Sequence, residues 1–176
     1  MGIVVSNISI RYSSTNKYQI TMKSNSHEST ILGAIGAAIG KGLIAGAAGT
    51  LAMTVSQMIE MRITRRRPSN APAKAVKKTL HIEATPGNKE EFSNEVHWVY
   101  GTSWGTLRGL LSLAGINGFA ATTIHMAAIW GTAVTIEPKL DIAPPLTEWE
   151  TKDIAVDIFH HLIYAVFAGL VYDAID

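Results

Sequence analysis

Glu60, His97, Arg108, His125, Asp157, His160 and His161 are acid–base or ligating side chains that lie in or at the ends of apolar stretches. Each is costly in an apolar setting and must face other helices or a wet cavity. Asp157 and His161 are four residues apart, so on a helix they can hydrogen-bond along one face, while His160 points partly elsewhere. His97 and Arg108 are three helical turns apart on one face, with Arg108 roughly 16 Å deeper. A carboxylate that orients one histidine, with more histidines arriving from other helices, is how helix bundles assemble metal ligands and proton relays. The D-x-x-H-H run matches half of a carboxylate-bridged di-metal pattern, but a second Glu-x-x-His is missing. His97 and His125 stand on separate segments, as two haem ligands would, without flanking features that require haem. A satisfied structural network, a proton or solute path, and a metal or haem site all stay open, and no cofactor is assigned.

Other chemistry is poorly represented. Ser93, Ser103 and Ser112 lack a G-x-S-x-G context, and the glycine-rich stretches lie inside apolar segments, away from any phosphate-binding loop. With no cysteine, thiolate catalysis, thiolate metal sites and disulfides are excluded. A net charge of +1 gives no reason to expect nucleic acid as a partner.

The elements that carry these residues are four apolar windows, separated by polar loops. Hydrophobic residues make up 47% of the 176, and the 16% that are charged are concentrated outside the windows, as in a membrane protein. The expected spans are about 42–61, 96–116, 119–136 and 154–175, against roughly 20 apolar residues needed to cross a bilayer. Lys41 separates a short leading piece from the first span and can snorkel to the interface. The second and third spans are joined only by Asn117-Gly118, a tight helical hairpin. Trp98, Tyr100, Trp130, Trp149 and Tyr172 fall near span ends, as interfacial aromatic belts do. The fold expected is therefore all-α: an integral membrane four-helix bundle over 31–176 behind a polar N-terminal tail, 1–30, that has no cleavable-signal pattern. Asp157 then lies inside the fourth span and Asp173 at its wet end, so replacing Asp157 should do more damage.

Gly101, Gly105 and Gly109 recur every four residues on the second span, and Gly42, Gly46 and Ala45, Gly49 do so on the first. Such smooth faces allow close helix approach, within the monomer or between copies. The first loop carries Arg62, Arg65, Arg66, Arg67, Lys74, Lys77, Lys78 and Lys89, against Arg11, Lys17 and Lys23 in the tail. That bias predicts cytoplasmic first and third loops and external termini, in the cell membrane. The R-R-R-P run can also attract anionic headgroups. The loop with Pro144, Pro145, Glu148 and Trp149 reads as a stiff connector with an interfacial indole, or a docking surface.

The segments GLIAGAAGTLAMT, RITRRRPSNAPA, VHWVYGTSWGTLRGLL, IHMAAIWGTA and APPLTEWETKDIAVDIFHHLIYA resemble a family of small bacterial and archaeal membrane proteins, distantly similar to the YagU-like inner-membrane proteins. The resemblance covers about 42–175 and implies four spans and no activity. The leading expectation is a non-catalytic accessory subunit of a larger membrane complex, touching lipid and either protein partners or its own copies. The alternatives are a small transporter, channel or proton-linked protein using His97, Asp157, His161 and Arg108, and, more weakly, a metal- or haem-binding oxidoreductase subunit.

Overall fold

A computed structural model describes the backbone of residues 3–5, 8–12, 18–22 and 26–29, and complete residues 30–83, 85 and 87–176. The chain divides into two units, 1–37 and 38–176. Much of the first unit falls outside the described residues, but it is more than a polar tail. β1 (Ile3–Val5), β2 (Ile8–Tyr12) and β3 (Tyr18–Met22) pair antiparallel in the order β1-β2-β3. The register sets Ile10 opposite both Ile3 and Ile20. The apolar–polar alternation of Ile8-Ser9-Ile10-Arg11-Tyr12 has the period of a strand.

From Ser26 onward the chain is helical: α1 (Ser26–Thr64), α2 (Ala71–Leu80), α3 (Lys89–Leu113), α4 (Gly118–Lys139) and α5 (Thr151–Ile175). Among the described residues three stretches are long and apolar enough to cross a membrane: Thr30–Thr64, Gly118–Lys139 and Thr151–Ile175. The helix that carries the expected 96–116 span is not among them. Within 96–113 charge is confined to Arg108, but His97, Thr102, Ser103, Thr106 and Ser112 join it in diluting the apolar character. The first span is also not preceded by a separate piece, since α1 runs unbroken through Lys41.

Helix ends follow local chemistry. Gly115, at φ +78°, reverses the chain after α3, and Ile116 N–H donates to the Leu111 carbonyl at 2.9 Å. This closure lets the hairpin turn within a few residues. After α4, whose last turn holds Pro138, a short 3-10 turn covers Leu146–Glu148, and Trp149 Nε1 donates to the Pro144 carbonyl at 2.9 Å. The indole thus staples its own connector.

The second unit is packed with small residues inside and large ones outside. Ala45, Ala121, Ala165 and Ala168 are fully buried, whereas Val99, Phe119, Phe159 and Leu170 are exposed. Met53, Ile129 and Tyr164 complete the core, with Trp104 and Met126 against it. Water would penalise such an outer surface, and hydrocarbon would not. The glycines set helix directions. A methyl at Gly105 would collide with the Gly42 carbonyl and the Gly46 backbone, one at Gly101 with Thr50, and one at Gly109 with Ala38. So α1 and α3 run antiparallel in close backbone contact. Gly49 meets Tyr164 of α5 in the same way.

Candidate functional site

Glu60, His97, Asp157, His160 and His161, which the expected spans bring to one inner end, lie at one end of the helices, and His125 and Arg108 lie apart from them. The seven thus form three groups along the helices, each held between elements. At the end that adjoins the first loop, Glu60 accepts from Arg66 Nη2 at 2.8 Å and Nε at 3.1 Å, and from Thr64 Oγ1 at 2.8 Å. Its charge is thereby matched within its own segment. His160 shares a 2.8 Å hydrogen bond between Nδ1 and Ser56 Oγ, tying α5 to α1. Its Nε2 lies 3.9 Å from Glu60 Oε2 and has no hydrogen-bond partner. The Asp157 carboxylate accepts from Trp130 Nε1 at 2.9 Å, so the indole read from sequence as a belt residue also ties α4 to α5. His161 Nδ1 bonds the Asp157 carbonyl at 2.9 Å, with the carboxylate farther off at 3.6 Å. His97 Nε2 approaches Thr54 Oγ1 at 3.5 Å, a long contact between α3 and α1.

The middle group centres on His125, which is fully buried. Its Nε2 donates to the Trp104 carbonyl at 3.0 Å, and its Nδ1 has no partner. Its ring meets Tyr164 edge-on at 5.6 Å, and Tyr164 OH donates to the Gly101 carbonyl at 2.6 Å. Both bonds reach carbonyls of α3 that glycine packing and aromatic bulk bring close.

The third group lies at the far end. Arg108 is fully buried, forms an ion pair with Asp173 of α5, and stacks over Tyr172 with its guanidinium carbon 4.6 Å from the ring centre. Nε and Nη1 of Arg108 have no partner. Next to this pair, Asp176 accepts from Lys41 Nζ at 3.0 Å and Ser112 Oγ at 3.1 Å, and these bonds, Lys41's first, hold its carboxyl below the ordinary range. Asp173 is expected at the wet end of the fourth span, where its replacement should do less damage than that of Asp157; it is 45% exposed there, and it also neutralises the fully buried Arg108.

The ionisable residues are thus evident in the sequence, and their partners are not. Asp173, Ser56, Tyr164, Tyr172 and the Trp104 carbonyl were all missed. One signal was available: a buried arginine requires a nearby acid, and Asp173 and Asp176 are the acids in the last turn of α5 and just beyond it. Pro144, Pro145 and Glu148 stay in the connector, and none of them joins the polar groups. Chemically, the arrangement ties helices together: Glu60 is met by Arg66 and Thr64, Asp176 by Lys41 and Ser112, Asp157 by Trp130 and Asp173 by Arg108. Among the described residues no three His, Asp or Glu side chains are placed to hold a metal ion. Compared with protein-family models, curated proteins and solved structures, the chain matches none.

Proposed function

We propose that this chain is a non-catalytic, multi-pass protein of the cell membrane, with α1, α3, α4 and α5 as its four spans, acting as a structural or accessory subunit of a larger complex. The membrane placement draws support from the three long apolar stretches and from the small-inside, large-outside packing. α3 enters as the fourth span because its one deep charge, Arg108, is matched by Asp173 and Tyr172 and faces the interior. The Lys78–Asp141 ion pair, 3.1 Å, joins the first and third loops, which fits a cytoplasmic side holding both and external termini. The four-span likeness to small YagU-like membrane proteins agrees with this layout.

The observation that carries the subunit reading is that every one of the seven ionisable residues is engaged by a protein group, most of them on another helix. Groups committed in this way specify packing. A proton-linked reading has one observation in its favour: Arg108 Nε and Nη1, His125 Nδ1 and His160 Nε2 are buried without partners, and water between them would make a relay. One pair of measurements separates the two. Chain purified from its native membrane in mild detergent should elute with larger protein partners, and proteoliposomes of the isolated chain should hold an imposed pH gradient. A chain that elutes alone and collapses the gradient would reverse the choice.

A further inference from the structure

We infer that the cleft between α1 and α5 is a binding site for one anionic glycerophospholipid, with its phosphate at the arginines that end α1. The inference rests on the membrane placement proposed above. The cleft is about 820 Å³, within the roughly 300–1,000 Å³ range of ligand sites. Ala48, Ala52, Val55 and Ile59 of α1 and Phe159 and Phe167 of α5 line it. Small residues on α1 open the floor, and the two phenylalanines raise a wall. The polar side chains in its lining are Ser56, Glu60 and Thr64, the last two on the closing turns of α1.

A second, smaller depression, about 210 Å³, lies beside the first and is lined by Val55, Met58, Ile59 and Arg62. The two share Val55 and Ile59, successive turns on one face of α1. That ridge between two apolar depressions suits a molecule with two hydrocarbon chains leaving one head. Both depressions end at the same turn of α1, where the charge changes sharply. Arg62, Arg65 and Arg67 are exposed and have no ion-pair or hydrogen-bonded side-chain partner among the described residues, whereas Arg66 is held by Glu60.

Charge complementarity selects the occupant. A partner helix without acidic side chains or a neutral lipid would cover the apolar cleft but leave Arg62, which lines the smaller depression, and Arg65 and Arg67, which follow it in sequence, without an anion. A phosphate diester carrying a net negative charge supplies one at headgroup depth, in the bidentate geometry that arginine favours. The lipid's two chains then fill depressions that begin one turn further along the helix.

Delipidated full-length protein in detergent can be titrated with phosphatidylglycerol, phosphatidylcholine and inorganic phosphate, with bound lipid read by native mass spectrometry. Phosphatidylglycerol should bind about thirtyfold or more tightly than phosphatidylcholine, the scale expected for two or three interfacial cations. Inorganic phosphate alone should not compete. Arg62→Gln with Arg65→Gln alters exposed side chains, so the fold should persist with an unchanged Tm, and the preference should fall to near unity. Ala52→Trp, which fills the floor, should weaken both lipids. Equal affinity for the two lipids, a preference that survives the double arginine change, or a dimer that excludes lipid would overturn the site alone. Recovery of the native chain in a soluble fraction without detergent would overturn the membrane placement, and the site with it.

Discussion

Arg108 and Asp157 are both polar residues in apolar helices, yet their settings differ. Arg108 has its charge compensated by one group, the Asp173 carboxylate, and two of its nitrogens already lack partners. Asp173→Asn removes the counter-charge from a fully buried cation, a change that costs up to about 3–5 kcal/mol when both partners are buried and less here, because Asp173 is 45% exposed. Asp157→Asn leaves a carbonyl oxygen that can still accept from the Trp130 indole, so its cost is nearer ~1 kcal/mol. Thermal unfolding in detergent should therefore place Asp173→Asn below Asp157→Asn, the reverse of the order that sequence position suggests. Equal midpoints would remove the distinction. This reversal marks how far the sequence could be read at the residue scale. Burial of Arg108 was legible from its apolar neighbours. Its partner was not, because Asp173 is 65 residues away and its proximity depends on α3 and α5 running parallel.

Among the elements, the glycine-ridged contact of α1 and α3 sets how closely the helices lie. Gly105 faces backbone atoms of Gly42 and Gly46, which cannot swing aside as a flexible side chain would. Gly105→Ala should push the helices apart at a cost of about 1–3 kcal/mol, as overpacking does. Gly131, in the interior of α4, has open space where a methyl would go. Gly131→Ala should be neutral or stabilising by up to about 1 kcal/mol, from helix propensity alone. Comparing the two midpoints checks that packing, not glycine content, is responsible. The four-residue spacing of these glycines was readable directly, since it is a property of one helix. The partner of each face was not, and neither was α2, whose Ala73, Val76 and Leu80 alternate with Lys74, Lys77 and Lys78 in what reads as a merely basic loop. Strands β1 to β3 escaped notice for a related reason: each is at most five residues, too short for alternation to stand out.

For the molecule as a whole, the four-span layout proposed above gives the Arg108–Asp173 pair a part in how the chain would enter a bilayer. An unpaired arginine costs about 2.5–3.5 kcal/mol at the centre of a span and less towards its end, where Arg108 lies, and α3 has little surplus apolar surface to offset even the smaller cost. Its counter-charge is made 65 residues later, near the end of α5. A chain cut after residue 145 should thus leave α3 outside the hydrocarbon, whereas the full chain, or the cut chain with Arg108→Leu, should bury it. Accessibility of a cysteine placed at Ser103 to a membrane-impermeant reagent reads the difference, and protection in the simple truncation would refute it. Synthesis order and membrane order then part company. On the four-span layout proposed above, the ribosome delivers α3 before α4 and α5, and the helix settles once its acidic partner has emerged, so the last turn of α5 acts as the latch on α3.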